Sequence, residues 1–485
     1  MRRALIAALL AGLSHLPPAH GAEDHVWIVG GGPFPDESQA QIEMNVNWVL
    51  ETLRERLPGA RLHVYYTDGE QAGRTIKVWR KPIDALAVFS PLARVFDYWE
   101  STGDQFRERR VSGDVRGSTE AGTLKQELAE AFAALKPGDK ATLIYNGHGL
   151  RGENDASENT LRLWGDTRLS VRDLDRTMST LDPVVPVRFI FAQCYSGGFL
   201  RLIRPEATDV RRLGQGYRCG FAAESEDRKS EGCSASIDVG DYRDYTTYFF
   251  SALRGQDRMG RPLAGSADRD GDGVVTPLEA HWYVLRYAYN ADLPRSTSEM
   301  YLERWQPWYL RWVGTGRETD NVYGRMAAEL AVELGLPREG RPLIKAMQDR
   351  RAESVRVAEA LNKEKETLQS EVRRLQKLIR RAVTLRWPEA EYPYTANFVR
   401  FLRTDVDEAQ EFILAQPLYS QLVQKQERLH RIELELVEAD RDGTRLDMVR
   451  RLRQLGRLLA QFERHASQTA REEFARLTRC ERLPL

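Results

Sequence analysis

The sequence lacks an excess of charge of either sign. Its 485 residues carry 71 Lys and Arg against 71 Asp and Glu, so the formal net charge is zero. It also lacks a basic stripe interleaved with aromatic side chains. Proteins that bind phosphate backbones or acidic membrane surfaces through charge need such a positive field. We therefore expect no nucleic-acid partner.

Apolar runs long enough to cross a membrane are also missing. One apolar stretch, Ala4 to Leu13, follows Arg2-Arg3 and precedes a small-residue motif that ends at Gly21. It is shorter than the ~20 apolar residues that a membrane span needs. This arrangement is typical of a signal peptide, so we expect residues 1–21 to be removed and the protein to be periplasmic or secreted, without a stable membrane span. An amino-terminal anchor helix is the alternative.

Cysteine is scarce, with four residues in the whole chain. An exported protein can use cysteines in disulfides, and Cys219 and Cys233 flank a polar loop that a disulfide between them would close. Cys480 lies far along the chain, and Cys194 would then remain free. A free thiol in an oxidising compartment is a liability unless its thiolate is used, which draws attention to Cys194.

The chain is too long for one ordinary core, and 42% hydrophobic with 29% charged residues is typical of globular proteins. Strand and helix patterns alternate from His25 onward: an apolar strand to Gly30, a helical stretch from about Ser38 to Leu57, then another strand. This alternation predicts an α/β fold with a mostly parallel sheet flanked by helices, over residues 24–335.

Near Gly340 the pattern changes. A heptad repeat runs from Glu353 to Ala382, and two further helical stretches flank Asp440–Gly443. We therefore expect an α-helical coiled-coil or bundle region over residues 340–485. The apolar side of this coiled coil could pack against a second copy of the chain or a protein partner. Packing against another helix of the same chain, in a hairpin, would bury it equally well.

Two apolar strands end in residue types that carry out chemistry. One leads into His148-Gly149, and the other leads into Cys194. The carboxyl ends of parallel strands meet at one sheet edge, and a right-handed crossover makes such strands neighbours. A cysteine nucleophile needs a base within reach and oxyanion donors beside it. We assign Cys194 as nucleophile, His148 as base and the Gly149 amide as an oxyanion donor. A buried structural cysteine beside an unrelated histidine is the alternative.

At these residues the chain resembles the caspase-like cysteine peptidases, which include caspases, metacaspases, gingipains and legumains. A His-Gly strand end followed by a strand ending in Cys is their shared mark, and Ala192-Gln193-Cys194 differs from the Gln-Ala-Cys of caspases. Legumain-like peptidases are more similar, because Phe221–Ser225 and Gly240-Asp241-Tyr242 match segments of their first specificity pocket. The resemblance covers residues 24–289. It implies a caspase-like fold and an endopeptidase that cleaves protein or peptide substrates through an acyl-enzyme, without a cofactor for the chemistry.

Two positions depart from the legumain-like pattern. Ala192 stands where those enzymes carry an acid, and Gly31–Glu37 stands where they carry an asparagine and an arginine. A preference for asparagine is therefore not expected. Glu224, Asp238 and Asp241 are instead candidates for an acidic substrate pocket that would accept Lys or Arg.

A segment from residue 268 to residue 279 follows the EF-hand loop pattern position by position. Carboxylates at alternate positions, a glycine at the sharp turn and a closing glutamate are what Ca²⁺ requires. The expected ligands are Asp268, Asp270, Asp272, the Val274 carbonyl and Glu279. A single loop in an exported protein favours a structural calcium ion over a signalling one.

Two other interpretations remain open. The fold could be a catalytically inactive scaffold that binds partners through its helical tail. A secreted calcium-binding structural protein would explain the loop and the tail, but it leaves the placement of His148 and Cys194 to coincidence.

Overall fold

The computed structural model describes residues 22–69, 73–78, 91–96, 105–204, 213–214, 216–312, 320–392 and 395–485. The expected signal peptide, residues 1–21, lies outside the described residues. The strands are β1 Asp24–Gly31, β2 Arg61–Tyr66, β3 Ile76–Val78, β4 Gln105–Arg107, β5 Val115–Gly117, β6 Lys140–Leu150, β7 Thr160–Leu163, β8 Thr167–Ser170, β9 Val187–Phe191, β10 Arg218–Ala222 and β11 Arg295–Ser296.

The helices of the first two thirds of the chain are α1 Ala40–Arg56, α2 Pro91–Phe96, α3 Ala121–Ala134, α4 Val171–Met178, α5 Tyr245–Arg254, α6 Pro277–Tyr287, α7 Thr297–Trp305 and α8 Val322–Glu333. The later helices are α9 Gly340–Arg386, α10 Ala396–Thr404, α11 Val406–Leu414, α12 Tyr419–His465 and α13 Gln468–Glu481. None of the described helices is both long enough and apolar enough to cross a bilayer.

The main sheet has the strand order β11-β10-β9-β6-β1-β2-β5. Neighbours in this order are parallel except β11, which runs antiparallel to β10, and β7 and β8 add an antiparallel hairpin to the end of β6. This confirms an α/β fold with a mostly parallel sheet. The expected strands and helices up to β9 are present.

The sheet is covered on both faces, which explains the continuous apolar runs of its central strands. In β1, Val26 and Ile28 belong to one buried cluster, whereas Trp27 and Val29 belong to another. Successive side chains point to opposite faces of a strand, so the two clusters lie on either side of the sheet. Helices α1, α5 and α6 contribute to the first cluster, and α3 and α4 contribute to the second.

The helical region contains an antiparallel hairpin of α9 and α12. Ion pairs join Lys365 to Glu433 at 3.1 Å and Glu371 to Lys425 at 2.6 Å. Residue numbers therefore increase along α9 in the direction in which they decrease along α12, so the two helices are antiparallel. The heptad positions Val372, Leu375 and Ile379 are buried in this region. This part of the apolar seam is therefore buried within the chain, whereas Ala358, Leu361 and Leu368 of the same repeat are only partly buried.

Helix α12 passes without a break through Asp440–Gly443, so the prediction of two separate helical stretches there was wrong. Polar side chains of this segment form a hydrogen bond and an ion pair with residues of the α/β region. These contacts stabilise the helical conformation of the segment. Asp442 accepts a hydrogen bond from the Tyr289 hydroxyl at 3.1 Å, and Arg441 pairs with Glu231 at 3.1 Å. Further along α12, Val449 and Leu452 join the same buried cluster as residues of α6 and α8.

The one disulfide of the structure joins Cys219 to Cys480, with 5.8 Å between their Cα atoms. The sequence-based pairing of Cys219 with Cys233 is therefore corrected. Cys219 lies fully buried on β10, where α13 packs against the strand, whereas Cys233 lies on a loop at the carboxyl edge of the sheet. Beside the disulfide, Glu481 accepts hydrogen bonds from Thr297 and Ser298 and anchors the same helix.

Candidate active site

His148 and Cys194 lie at the same edge of the sheet, as the sequence predicts. β6 and β9 are adjacent and parallel, and Tyr145 pairs with Phe191 in their register. His148 comes three positions after Tyr145, and Cys194 comes three positions after Phe191. Both residues therefore lie at the same height along the strand direction, at the carboxyl end of the parallel strands.

The ring of His148 is held by its Nε2 atom. This nitrogen lies 2.8 Å from the Glu37 carbonyl oxygen and 3.0 Å from Oε1 of Gln39. A backbone carbonyl can only accept a hydrogen bond, so Nε2 must carry the proton. In the neutral ring, Nδ1 is then the atom with the free lone pair. Burial lowers the pKa of His148 below its ordinary value, which favours this neutral, proton-accepting form.

The segment that holds His148 is the connection between β1 and α1. A Cβ added at Gly32 would overlap the Glu37 carbonyl group, so glycine is required where the segment folds back. The Ser38 hydroxyl donates to the Phe34 carbonyl oxygen at 2.9 Å, and Arg162 of β7 pairs with the Glu37 carboxylate. The segment Gly31–Glu37, which departs from the legumain-like pattern, thus supports the ring of His148.

Cys194 follows β9 in a tight turn and is half-buried. Its Sγ lies 3.8 Å from the Ser230 carbonyl oxygen and 3.9 Å from the Ser230 hydroxyl. The next residue, Tyr195, has a φ of +61°, a left-handed conformation that costs energy for a non-glycine residue. Two hydrogen bonds hold this turn: Tyr195 N donates to the Arg228 carbonyl at 2.8 Å, and Asn159 Nδ2 donates to the Tyr195 carbonyl at 3.0 Å.

Two glycines beside His148 and Cys194 are tightly packed. A Cβ at Gly149 would overlap the Cys194 carbonyl oxygen, so the backbones of the two strand ends are in direct contact. A Cβ at Gly197 would lie 2.6 Å from the Glu226 nitrogen. The short helix Ser196–Ile203 can therefore begin directly after the turn that carries Cys194. The role of the Gly149 amide as an oxyanion donor stays a prediction.

A second free thiol, that of Cys233, lies beside His148, and the sequence analysis missed this contact. Sγ of Cys233 is 3.6 Å from Nδ1 of His148, whereas no hydrogen bond joins the described side chains of His148 and Cys194. The Cys233 side chain is exposed to solvent. The signal available in the sequence was its place just after the segment that resembles a specificity pocket.

The three candidate pocket carboxylates differ in exposure and in hydrogen-bond partners. Glu224 is fully buried, and it accepts hydrogen bonds from the amides of Ser225 at 2.7 Å and Leu293 at 3.0 Å. Its burial raises its pKa. Asp238 accepts from Gly240 N at 3.0 Å and caps the turn that also contains the exposed Asp241. Glu224 therefore stabilises the loop after β10 from within.

The predicted calcium loop brings three of its carboxylates together. Ligand oxygens of Asp268, Asp270 and Glu279 all lie within 4.8 Å of one another. Asp272 instead accepts from Val274 N at 2.8 Å, and Glu279 also caps the first turn of α6 through Thr276. Oxygen-only donors are those that hard cations such as Ca²⁺ prefer, so the donor set fits such an ion.

Comparisons with known proteins assign the chain to no family. No family model and no curated protein matches the chain. Among solved structures, the chain is similar to protein GSU0716 from Geobacter sulfurreducens, with 12% identity and a TM-score of 0.34. The match covers 56% of this chain and 92% of that one, and a likeness at this level carries no argument about function.

Proposed function

We propose that the protein is an exported cysteine endopeptidase of the caspase-like type, with Cys194 as nucleophile and His148 as base. The observation that carries this proposal is the contact of His148 Nε2 with the Glu37 carbonyl oxygen. That contact assigns the proton to Nε2 and leaves Nδ1 to accept one, at the edge where Cys194 follows the neighbouring strand.

In the proposed reaction, Nδ1 of His148 accepts the proton of the Cys194 thiol, and the sulfur attacks the carbonyl carbon of the scissile bond. The amides of Gly149 and Cys194 stabilise the oxyanion. His148 then gives its proton to the leaving amine, and water hydrolyses the acyl-enzyme. Hydrogen bonds between nucleophile and base are often long without substrate, so a productive contact is expected when substrate binds.

A calcium ion at the 268–279 loop is proposed as structural. Asp268, Asp270 and Glu279 would hold it, with Asp272 and the Val274 carbonyl completing the shell. Because Glu279 also caps α6, the ion would fix the start of a helix that packs in the central core. It takes no part in bond cleavage.

The alternative is an inactive caspase-like scaffold that acts through its helical region. One observation favours it: the thiol beside Nδ1 of His148 is Cys233 and not the proposed nucleophile. Under this alternative Cys194 would show no heightened reactivity toward substrate-like electrophiles.

A peptidyl acyloxymethyl ketone, which labels activated cysteine nucleophiles, separates the two functions. We expect wild type and Cys233→Ala to be labelled at Cys194, and Cys194→Ala to lose the label while keeping its melting temperature. A wild type that stays unlabelled both with calcium and with a chelator would support the scaffold. A peptide library digested by wild type and by Cys194→Ala then gives the residue preference.

A further inference from the structure

A loop of residues 228–234, here called the strap, crosses the candidate active site. At its start, the Arg228 carbonyl accepts from Tyr195 N at 2.8 Å, and Ser230 contacts the Cys194 sulfur through both of its oxygens. At its far end, Cys233 contacts Nδ1 of His148 at 3.6 Å. The strap thus touches the proposed nucleophile and the proposed base.

The strap is anchored on both sides of Cys233. Glu231 N donates to Oδ1 of Asp292 at 2.8 Å, and Ser234 N donates to Oε1 of Gln41 at 2.9 Å. Three residues of chain span at most ~10 Å, so Cys233 is confined near Ser230 and hence near Cys194. Residues 229–235 form neither helix nor strand, so a shift that joins the two sulfurs breaks no regular element.

We propose that Cys194 and Cys233 are an oxidisable thiol pair, in which a hydroperoxide oxidises Cys194 and Cys233 then closes a reversible disulfide across the site. Both are free thiols in a chain whose other two cysteines are already joined. The disulfide would occupy the nucleophile and protect it from irreversible oxidation. The consequence for activity rests on the proposed peptidase function, whereas the thiol chemistry does not.

The chemistry balances in two steps. The Cys194 thiolate attacks one oxygen of the hydroperoxide: an S–O bond forms, the O–O bond breaks, and the departing oxygen leaves as water or alcohol after taking a proton. The Cys194 sulfur is oxidised by two electrons and the hydroperoxide is reduced. Cys233 then attacks that sulfur: the S–S bond forms, the S–O bond breaks and hydroxide leaves. His148 Nδ1, beside the Cys233 thiol, accepts the thiol proton and returns it to make water.

Hydrogen peroxide at one equivalent, followed by peptide mapping without reductant, tests the pair. In wild type we expect a peptide that links Cys194 to Cys233, with the loss of two hydrogens in the intact mass and an unchanged Cys219–Cys480 disulfide. In Cys233→Ser we expect a sulfenic acid at Cys194 that reacts with dimedone and proceeds to sulfinic acid with more peroxide.

Activity gives a second measurement. A thiol reductant should restore hydrolysis to oxidised wild type, whereas over-oxidised Cys233→Ser should stay inactive. If wild type gives no Cys194–Cys233 peptide, or the same dimedone adduct as Cys233→Ser, the pair is refuted. If the linked peptide forms in a protein that never hydrolyses peptides, the thiol pair holds and the peptidase function fails.

Discussion

Nδ1 of His148 lies 3.6 Å from Sγ of Cys233, and its Nε2 lies 2.8 Å from a carbonyl oxygen. The carbonyl holds the ring in one tautomer, so the only lone pair of the imidazole faces a thiol. In the proposed mechanism Cys194, half-buried after the neighbouring strand, must reach the same atom when substrate binds. The orientation of this ring therefore governs the proposed chemistry.

Gln39 should act as a positioning residue for His148. Its Oε1 accepts from Nε2 at 3.0 Å, and losing one hydrogen bond of about 0.5–1.5 kcal/mol predicts a ~2- to 10-fold lower kcat in Gln39→Ala with little change in KM. In Gln39→Glu, a carboxylate beside Nε2 would favour the imidazolium and raise the pKa of His148. The acid limb of the pH–rate profile should then move to higher pH, and an unmoved limb in Gln39→Glu would contradict this role.

Gly149→Ala should damage both stability and activity. The new methyl group would overlap the Cys194 carbonyl oxygen and push the two strand ends apart. We expect a loss of about 1–3 kcal/mol in urea unfolding and loss of acyloxymethyl ketone labelling. Gly59→Ala is the matched control, because its Cβ would meet nothing within 4 Å. Equal effects of the two substitutions would refute the close contact.

Calcium should raise the melting temperature of the protein. An ion that binds the folded state at a hundredfold excess over its Kd contributes about 2.7 kcal/mol, and Asp268→Asn should abolish the response. Asp257→Asn, in a turn outside the loop, serves as the control for exchanging an acid for an amide. Identical melting of wild type in chelator and in calcium would remove the calcium site.

Arg482 should weaken calcium binding. Its Nη1 lies 3.2 Å from Oδ2 of Asp270, one of the converging carboxylates, so the guanidinium competes with the ion. An exposed ion pair contributes at most about 1 kcal/mol, and we expect Arg482→Gln to bind calcium up to ~5-fold more tightly by calorimetry. Arg479→Gln, in the last turn of α13 and three residues before Arg482, is the control, and equal affinities of the two variants would exclude the competition.

Stability should fall with acid partly because of His63. Burial, followed by the charge of Arg116, lowers the pKa of His63 from 6.5 to about 4. Between these values the unfolded chain binds the proton and the folded chain does not, so the stability contribution present above pH 6.5 is lost as the pH falls toward 4. His63→Gln should lose less stability than wild type between pH 7 and pH 5 in urea unfolding. His430→Gln, at an exposed position, should behave like wild type.

The parts of the fold that depend on local pattern could be predicted from the sequence. β1, β6 and β9 are apolar on both faces and contain or lead into glycine or chemically active residues, so periodicity identified them as buried strands and the crossover rule predicted that the strands of His148 and Cys194 are parallel. Because the carboxyl ends of parallel strands meet at one edge of the sheet, His148 and Cys194 could also be placed together. The convergence of Asp268, Asp270 and Glu279 could be predicted because these carboxylates are close in sequence.

The parts that depend on distant contacts could not be predicted in the same way. Cys480 is 261 residues from Cys219, and nothing in either local pattern identifies the other as its partner. The contact of Cys233 with His148 arises because hydrogen bonds to Gln41 and Asp292 shape the loop that carries Cys233. Asp440–Gly443 has the composition of a turn, but bonds to Tyr289 and Glu231 keep it helical.

The disulfide between Cys219 and Cys480 also sets an order of events during synthesis. At ~5–20 residues per second, the 261 residues between the two cysteines take on the order of 10–50 s to be made. Throughout that interval Cys219 has no native partner, whereas Cys194 precedes it and Cys233 is made within about 3 s. Mispaired bonds among these three thiols are therefore the early products expected in an oxidising environment. A thiol–disulfide isomerase should raise the yield of native protein more than an oxidant alone.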